Sequence, residues 1–223
     1  MALILNIETA TPVCSVCIAK DGVPVDYREN TDGNAHAKML TVFIEELMAS
    51  TGITMSAIDA VAVSGGPGSY TGLRIGTSVA KGLCYSLDRP LISVSTLLAL
   101  AFGISKKVNI KDAFYMPVID ARRMDVYTSI FDHVLNPVQP TDCKTIDENL
   151  EKLINELGNI YIGGNATEKC KCIFTSENIH FVDGTYNDSR NMINFSNNKY
   201  IANEFENIAW FEPFYLKEFA ARV

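Results

Sequence analysis

The sequence predicts an α/β protein made of two related subdomains. Each half begins with apolar, strand-like segments and continues with helices that alternate with strands, which is the pattern of α/β domains. A length of 223 residues suits one large domain or two small ones. The chain becomes polar at residues 105–111, so we place the subdomains at residues 1–104 and 105–223.

The first half opens with a predicted hairpin, because apolar and polar residues alternate on both sides of the turn Asp21–Gly22. A doubly apolar strand, "IDAVAVSG", leads into a glycine-rich loop. Pro137 and Pro140 indicate an irregular stretch in the second half. The predicted strands are Leu3–Glu8, Val13–Ala19, Val23–Glu29, 58–65, 91–95, 114–122, 124–132 and 159–163, and the predicted helices are His36–Ala49, Tyr70–Leu87, 96–104, Ile146–Leu157 and one within 187–207.

The composition limits the classes of function. The formal net charge is −7, and the largest basic groups are only Lys106–Lys107 and Arg122–Arg123. Because tight nucleic-acid binding depends on neutralising phosphates, we expect none by this chain alone. No apolar run reaches the ~20 residues that cross a bilayer, and the start of the chain is typical of a strand rather than a signal peptide. These features predict a cytoplasmic protein without a membrane segment.

The cysteines and histidines do not predict a metal site. Cys14 and Cys17 lie in a predicted strand, where residues three apart face opposite sides. Cys170 and Cys172 have no further Cys or His at a zinc-ribbon spacing. The histidines are scattered, at His36, His133 and His180. We therefore expect buried, reduced thiols and no cofactor.

The segment "AVSGGPGSYTGLRIGTSVAKGL", Ala62–Leu83, runs from a strand through a glycine-rich loop into a helix. It lacks the Lys of a Walker A loop, the third glycine of a dinucleotide fingerprint and a G-x-S-x-G elbow. A loop at a helix N-terminus could still hold an anion. In the helix, small residues recur every four positions, which predicts close approach either to its own sheet or to another helix. These residues are Gly72, Gly76, Ala80 and Cys84.

Two further segments carry more apolar surface than one core contact requires. The helix at His36–Ala49 is apolar around more than one face, which predicts either internal cover or a partner surface. The aromatic end of the chain, which includes Trp210 and Phe211, either seals the core or forms a partner-facing edge.

Five segments together resemble the bacterial TsaB (YeaZ) family: "NIETATPVCSVCIAKDG", "SGGPGSYTGLRIGTSVAKGL", "ISVSTLLALA", "VIDARRMDVY" and "EPFYLKEF". The resemblance implies the actin-like ATPase, RNase H-like fold. It also implies a non-catalytic, dimerising subunit of the machinery that makes tRNA threonylcarbamoyladenosine. Such a subunit pairs with the catalytic TsaD, supports assembly of the ATPase TsaE and meets tRNA only through the complex. Alone, the same face could form a homodimer.

The resemblance implies that the helices at His36–Ala49 and Tyr70–Leu87 meet the equivalent pair of TsaD in a four-helix arrangement. On this hypothesis, Gly76→Arg leaves a folded protein that no longer associates with TsaD. The predicted interface residues are Met39, Leu40, Phe43, Leu47, Tyr70, Gly72, Leu73, Arg74, Gly76, Thr77, Ala80 and Cys84.

Other interpretations stay open. The chain could be a metal-dependent peptidase or a sugar-kinase-like, ATP-using enzyme, for which the cues are Ser69, Asp120 and the Gly163–Gly164 pair. It could also be a dimeric scaffold unrelated to tRNA. Asp120 with Arg122 and Arg123 could bind an anion or form an Asp–Arg pair that braces the second half. No catalytic residue is predicted, because the sequence shows neither a phosphate loop nor a nucleophile–base pair.

Overall fold

A computed structural model describes residues 1–31 and 36–217 of the chain. The strands are β1 (Leu3–Glu8), β2 (Cys14–Lys20), β3 (Val23–Asn30), β4 (Ala60–Ser64), β5 (Leu91–Val94), β6 (Phe114–Asp120), β7 (Asp125–Phe131), β8 (Pro137–Thr145), β9 (Ile160–Gly163) and β10 (Ile179–Phe181). The α-helices are α1 (His36–Thr51), α2 (Tyr70–Leu87), α3 (Thr96–Val108), α4 (Glu148–Asn155), α5 (Thr167–Lys171) and α6 (Ile193–Ile201). Short 3-10 helices cover Met55–Ala57 and Ser189–Met192.

The two five-stranded sheets share one plan. Their orders are β3-β2-β1-β4-β5 and β8-β7-β6-β9-β10. In each, the first three strands in sequence are antiparallel neighbours, and the fourth and fifth add in parallel on the other side of the first. The prediction of two related α/β subdomains is therefore confirmed.

The chain divides into two compact units at different positions from those expected. Unit 1 contains Met1–Thr96 and Asn187–Phe214, and unit 2 contains Leu97–Tyr186 and Tyr215–Val223. The first division thus falls after Thr96, the first residue of α3, rather than after residue 104, because the apolar side chains of α3 pack with β6 in a core cluster of unit 2. The chain later returns to unit 1, where Ile193 of α6 joins a small cluster on β2.

The core of unit 1 lies between its sheet and the helices α1 and α2. Leu40 and Leu47 of α1 and Ala80 of α2 pack with Leu5 of β1 and Val61 of β4 in one buried cluster.

Within residues 1–31 and 36–217, none of the helices combines the length and the apolar character that crossing a bilayer requires.

Local chemistry explains the hairpin turn and one wrong prediction. Asp21 and Gly22 have φ angles of 51° and 78°, and this left-handed turn between β2 and β3 confirms the predicted hairpin.

The stretch that Pro137 and Pro140 marked as irregular is instead β8, which pairs with β7 at the edge of the second sheet. Proline is tolerated on an edge strand, where its missing N–H group breaks no ladder.

Candidate functional site

The glycine-rich loop before α2 is held by the chain itself. The amide of Gly65 donates to the Val94 carbonyl at 2.8 Å, and that of Gly66 donates to Thr96 Oγ1 at 3.0 Å. The amide of Ser69 donates to the Ala10 carbonyl at 2.6 Å. These three amides are satisfied internally, so they are not available to bind a phosphate in this conformation.

The end of the loop and the first half of α2 pack three glycines against the connection between β1 and β2. A Cβ atom added at Gly68 would lie 2.4 Å from the Ala10 carbonyl oxygen, and one at Gly72 would lie 2.0 Å from that of Thr9. At Gly76 an added Cβ atom would stand 2.2 Å from Thr9 Oγ1. Of the two expected neighbours of the small-residue stripe, the structure selects the helix's own sheet.

This packing corrects the predicted interface. Nine of the twelve predicted residues are buried inside unit 1, because they form the contacts of α1 and α2 with the sheet and with each other. These nine residues are therefore not accessible on the surface of unit 1 in this structure, and Gly76→Arg would disturb the fold rather than the surface alone. The nine are Leu40, Phe43, Leu47, Gly72, Leu73, Gly76, Thr77, Ala80 and Cys84.

The other three predicted residues remain accessible. Met39 and Tyr70 are half-buried and Arg74 is exposed. The Arg74 guanidinium lies 4.3 Å from the centre of the Tyr70 ring, a cation–π arrangement at the start of α2. Of the twelve predicted residues, these three therefore stay available to a partner.

A second stripe of α2, which we call the exposed stripe, faces away from the sheet. Its members recur every three or four residues, so they lie along one side of the helix. Gly82 has no atom within 4 Å of the position of an added Cβ atom, and Tyr85 is 84% exposed. The members are Thr71, Arg74, Ser78, Gly82 and Tyr85.

The segment after α6 extends this surface with another aromatic residue. Lys81 of α2 donates to the carbonyl oxygens of Ala209 and Phe211 at 3.3 Å and 3.2 Å. Phe211 packs against the core of unit 1, whereas Trp210, which lies between Ala209 and Phe211 in the sequence, is 83% exposed. The two expectations for the aromatic end therefore apply to neighbouring residues, one sealing the core and one facing outward.

The sequence analysis missed Glu8, at the end of β1. It is fully buried, and its Oε1 accepts from the Ala10 amide at 2.6 Å, while Oε2 has no hydrogen-bond partner among the described residues. Burial, with a smaller contribution from the nearby charge of Asp188, raises the pKa of Glu8 to about 7, against the lowering effect of its hydrogen bonds. A Glu at the end of a strand whose only other polar residue is Asn6 was the available signal.

The cues for an enzyme have structural roles. The Ser69 hydroxyl caps α2 by accepting from the Gly72 amide at 3.3 Å. Asp120 pairs with Lys169 at 2.8 Å rather than with an arginine, which corrects the expected Asp–Arg brace. Added Cβ atoms at Gly163 and Gly164 would lie 2.3 Å from Thr185 Oγ1 and 2.1 Å from the Val118 carbonyl oxygen, so unit 2 itself fills the space beside this pair.

Across residues 1–31 and 36–217, no three His, Cys, Asp or Glu side chains come together in a group that could hold a metal ion. Cys14 and Cys17 are buried, and burial raises the pKa values of their thiols to about 11 and about 12. The side chain of His36, one of the scattered histidines, lies outside the described residues.

Comparison with known proteins places the chain in a family. A family model described as TsaD, tRNA N6-adenosine threonylcarbamoyltransferase, matches residues 30–221. The tRNA threonylcarbamoyladenosine biosynthesis protein TsaB of Buchnera aphidicola subsp. Acyrthosiphon pisum is 30% identical over 158 residues, which are 68% of this chain and 70% of that protein. The chain belongs to the TsaB (YeaZ) family.

Other TsaB proteins align over a shorter part. Escherichia coli TsaB is 36% identical over 124 residues, which are 56% of this chain and 52% of that protein. The matched segment thus spans about half the length of this curated relative. The match to a TsaD model as well indicates that TsaB chains and TsaD are related in sequence.

Solved structures confirm the fold of this TsaB-family chain. YeaZ from Pseudomonas aeruginosa superposes with a TM-score of 0.81 at 21% identity, over 97% of this chain and 100% of that one. The activator of 2-hydroxyisocaproyl-CoA dehydratase from Clostridium difficile, solved with bound ADPNP, gives a TM-score of 0.51 at 11% identity over 92% and 98% of the two chains. The units therefore have the actin-like ATPase, RNase H-like fold.

Proposed function

We propose that this chain is a non-catalytic subunit of the complex that makes threonylcarbamoyladenosine in tRNA. It pairs with the catalytic TsaD through α1 and α2, helps the ATPase TsaE to join, and acts in the cytoplasm without a cofactor of its own. The observation that carries the proposal is the asymmetry of α2. Its small-residue stripe (Gly72, Gly76, Ala80 and Cys84) and the glycine-rich loop before it pack against the chain itself, while the exposed stripe on the opposite side is open.

The internal packing of the loop supports a non-catalytic role. In the actin-like fold, nucleotide chemistry requires backbone amides that face a phosphate group. In this chain the amides of Gly65, Gly66 and Ser69 bond to the chain instead. Other residues of the TsaB-family sequence that suggested an enzyme are likewise occupied in capping and packing. The chemistry is therefore assigned to the partner.

The open side of α2 supports a docking role. A small residue flanked by aromatic anchors lets a second helix approach closely and bury rings at the contact. Gly82 supplies the small position, and Tyr85 and Trp210 supply exposed aromatic rings. Val42 adds an exposed apolar side chain on α1. The relationship to TsaD makes a similar pair of helices the expected partner surface.

The revised interface is tested with Gly82→Arg, because that position is open in the monomer. The arginine should leave the folded chain intact, with unchanged or slightly higher thermal stability, since arginine favours a helix over glycine by roughly 0.5–1 kcal/mol. It should abolish co-purification with TsaD. Gly82→Ala is the matched control and should retain association. Normal association of Gly82→Arg with TsaD would refute docking on this stripe.

Reconstitution tests the biological role. Purified TsaD, TsaE and tRNA, supplied with ATP and threonylcarbamoyl adenylate as the donor of the transferred group, should form threonylcarbamoyladenosine efficiently only when this chain is added, and the chain alone should form none. Modification that is equally fast without it would contradict the proposal. If Gly82→Arg lost self-association but kept TsaD binding, the exposed stripe would be assigned to a homodimer instead.

A further inference from the structure

A turn in unit 2 presents two arginines in an unusual backbone conformation. Residues 121–124 join β6 to β7, and Arg122 and Arg123 within this turn have φ angles of 69° and 49°. This left-handed region favours Gly, Asn and Asp, so two successive arginines are a costly choice for a hairpin connection. Strained residues of this kind concentrate at functional sites.

The two guanidinium groups are not held by the part of the chain that the structure describes. Both side chains are exposed, and neither forms an ion pair or hydrogen bond with a residue of the described ranges 1–31 and 36–217. The contacts of these residues use backbone atoms instead. The Arg122 amide donates to Asp120 Oδ1 at 2.6 Å, and the Arg123 carbonyl accepts from Lys169 Nζ at 2.7 Å. The side chains are therefore not required to build the turn.

Two lysines brace the turn and add charge to it. Lys169 pairs with Asp120 at 2.8 Å, and Lys217 pairs with Asp125 at 2.6 Å while donating to the Ala121 carbonyl at 3.0 Å. Counted over the described residues, this group contains four cations and two carboxylates, an excess of two positive charges on a chain with a formal net charge of −7. We call this group the arginine turn; its members are Asp120, Arg122, Arg123, Asp125, Lys169 and Lys217.

We infer that the arginine turn binds the phosphate backbone of RNA. A guanidinium group donates paired hydrogen bonds to phosphate oxygens, and adjacent free arginines on an open turn suit an extended polyanion. The acidic remainder of the chain limits binding to this patch, so the turn adds electrostatic affinity without reading sequence. The inference rests on the proposed function, which brings tRNA to the complex, and it adds a direct contact where the resemblance implied only an indirect one.

The variant Arg122→Asn/Arg123→Asn separates binding from folding. Asparagine tolerates the left-handed conformation, and the backbone contacts of the turn are kept, so the thermal midpoint should not fall. The matched control is Lys106→Gln/Lys111→Gln, which removes two exposed positive charges of unit 2 from the region before β6. Binding of fluorescently labelled, unmodified tRNA transcript to the complex with TsaD is measured by anisotropy between 50 and 200 mM salt, a range in which phosphate contacts respond strongly.

The asparagine variant should assemble normally with TsaD and bind tRNA about tenfold more weakly at low salt, with a salt dependence reduced by roughly one to two ions. The lysine control should stay within about twofold of the wild type. Unchanged tRNA affinity of the asparagine variant would overturn the inference. Failure of that variant to assemble would also overturn it and would make the turn a protein contact.

If the wild-type chain itself formed no complex with TsaD, the proposed function would fail separately. The inference would then be decided by binding of the same transcript to the isolated full chain at low salt. A weaker interaction of the asparagine variant than of the lysine control would support it, and equal binding would overturn it.

Discussion

Gly72 of α2 lies against the backbone of Thr9, so closely that an added Cβ atom would stand 2.0 Å from the Thr9 carbonyl oxygen. The Thr9 hydroxyl in turn donates a 2.8 Å hydrogen bond to the Gly72 carbonyl. The β1–β2 connection therefore fills the groove that the glycines leave in the helix. This contact explains the glycines without a partner and moves the candidate interface to the other side of α2.

Gly72→Ala should destabilise the chain although alanine is the better helix former. A backbone carbonyl cannot rotate out of the way of the new methyl group, so we expect the free energy of unfolding to fall by about 1–3 kcal/mol. Gly82→Ala has open space and should instead raise it by roughly 0.5–1 kcal/mol. Urea denaturation of both variants measures the difference. A stabilised Gly72→Ala variant would show that the close packing is absent in solution.

Glu8 should make stability depend on pH. Burial and the charge of Asp188 raise the pKa of Glu8 in the folded chain to about 7, from 4.5 without these effects. The fold therefore favours the protonated carboxyl, so the cost of burying Glu8 is absent below about pH 4.5, grows as the pH rises towards 7, and is constant above it. At pH 8 the cost reaches about 3 kcal/mol.

Glu8→Gln removes that cost, because glutamine keeps the amide acceptor of Oε1 but carries no charge. The stability advantage of the variant over the wild type should grow by about 2 kcal/mol between pH 5.5 and pH 8. Denaturant titrations at the two values give this difference, and Glu45→Gln on the exposed side of α1 is the control. An advantage that did not change with pH would mean that Glu8 is charged throughout.

Much of the fold follows from local patterns. Period-two alternation and the Asp21–Gly22 turn fix the first hairpin, and the helices α1 and α2 begin at the predicted residues. The edge strand β8 was missed because prolines usually end strands, and only the position at a sheet edge removes that objection. Edge position is a tertiary property that no local pattern encodes.

The side of α2 that is accessible in the structure was not predicted, for a similar reason. The helix has two stripes with small residues, one containing Gly72 and Gly76 and the other containing Gly82. Helical periodicity separates the stripes but does not say which one meets the sheet. That choice is made by the β1–β2 connection, whose Thr9 carbonyl fits only where no Cβ atom stands. Accessibility of Tyr85 and Trp210 follows from the same choice and was not visible in the sequence.

The six thiols should react in distinct classes. Cys172 is exposed, Cys143 is half-buried, and the other four are buried. Burial raises the pKa of the Cys143 thiol and raises those of Cys14 and Cys84 to about 11 and of Cys17 and Cys170 to about 12. Because the thiolate is the reactive form, a disulfide reagent at pH 8 should modify one thiol quickly, a second slowly and the rest only on unfolding. Cys172→Ser should remove the fast phase alone.

A fast phase that survived this substitution, or several fast thiols in the native chain, would mean that the core around α2 or α5 opens readily. The close packing of the small-residue stripe of α2 would then not hold in solution.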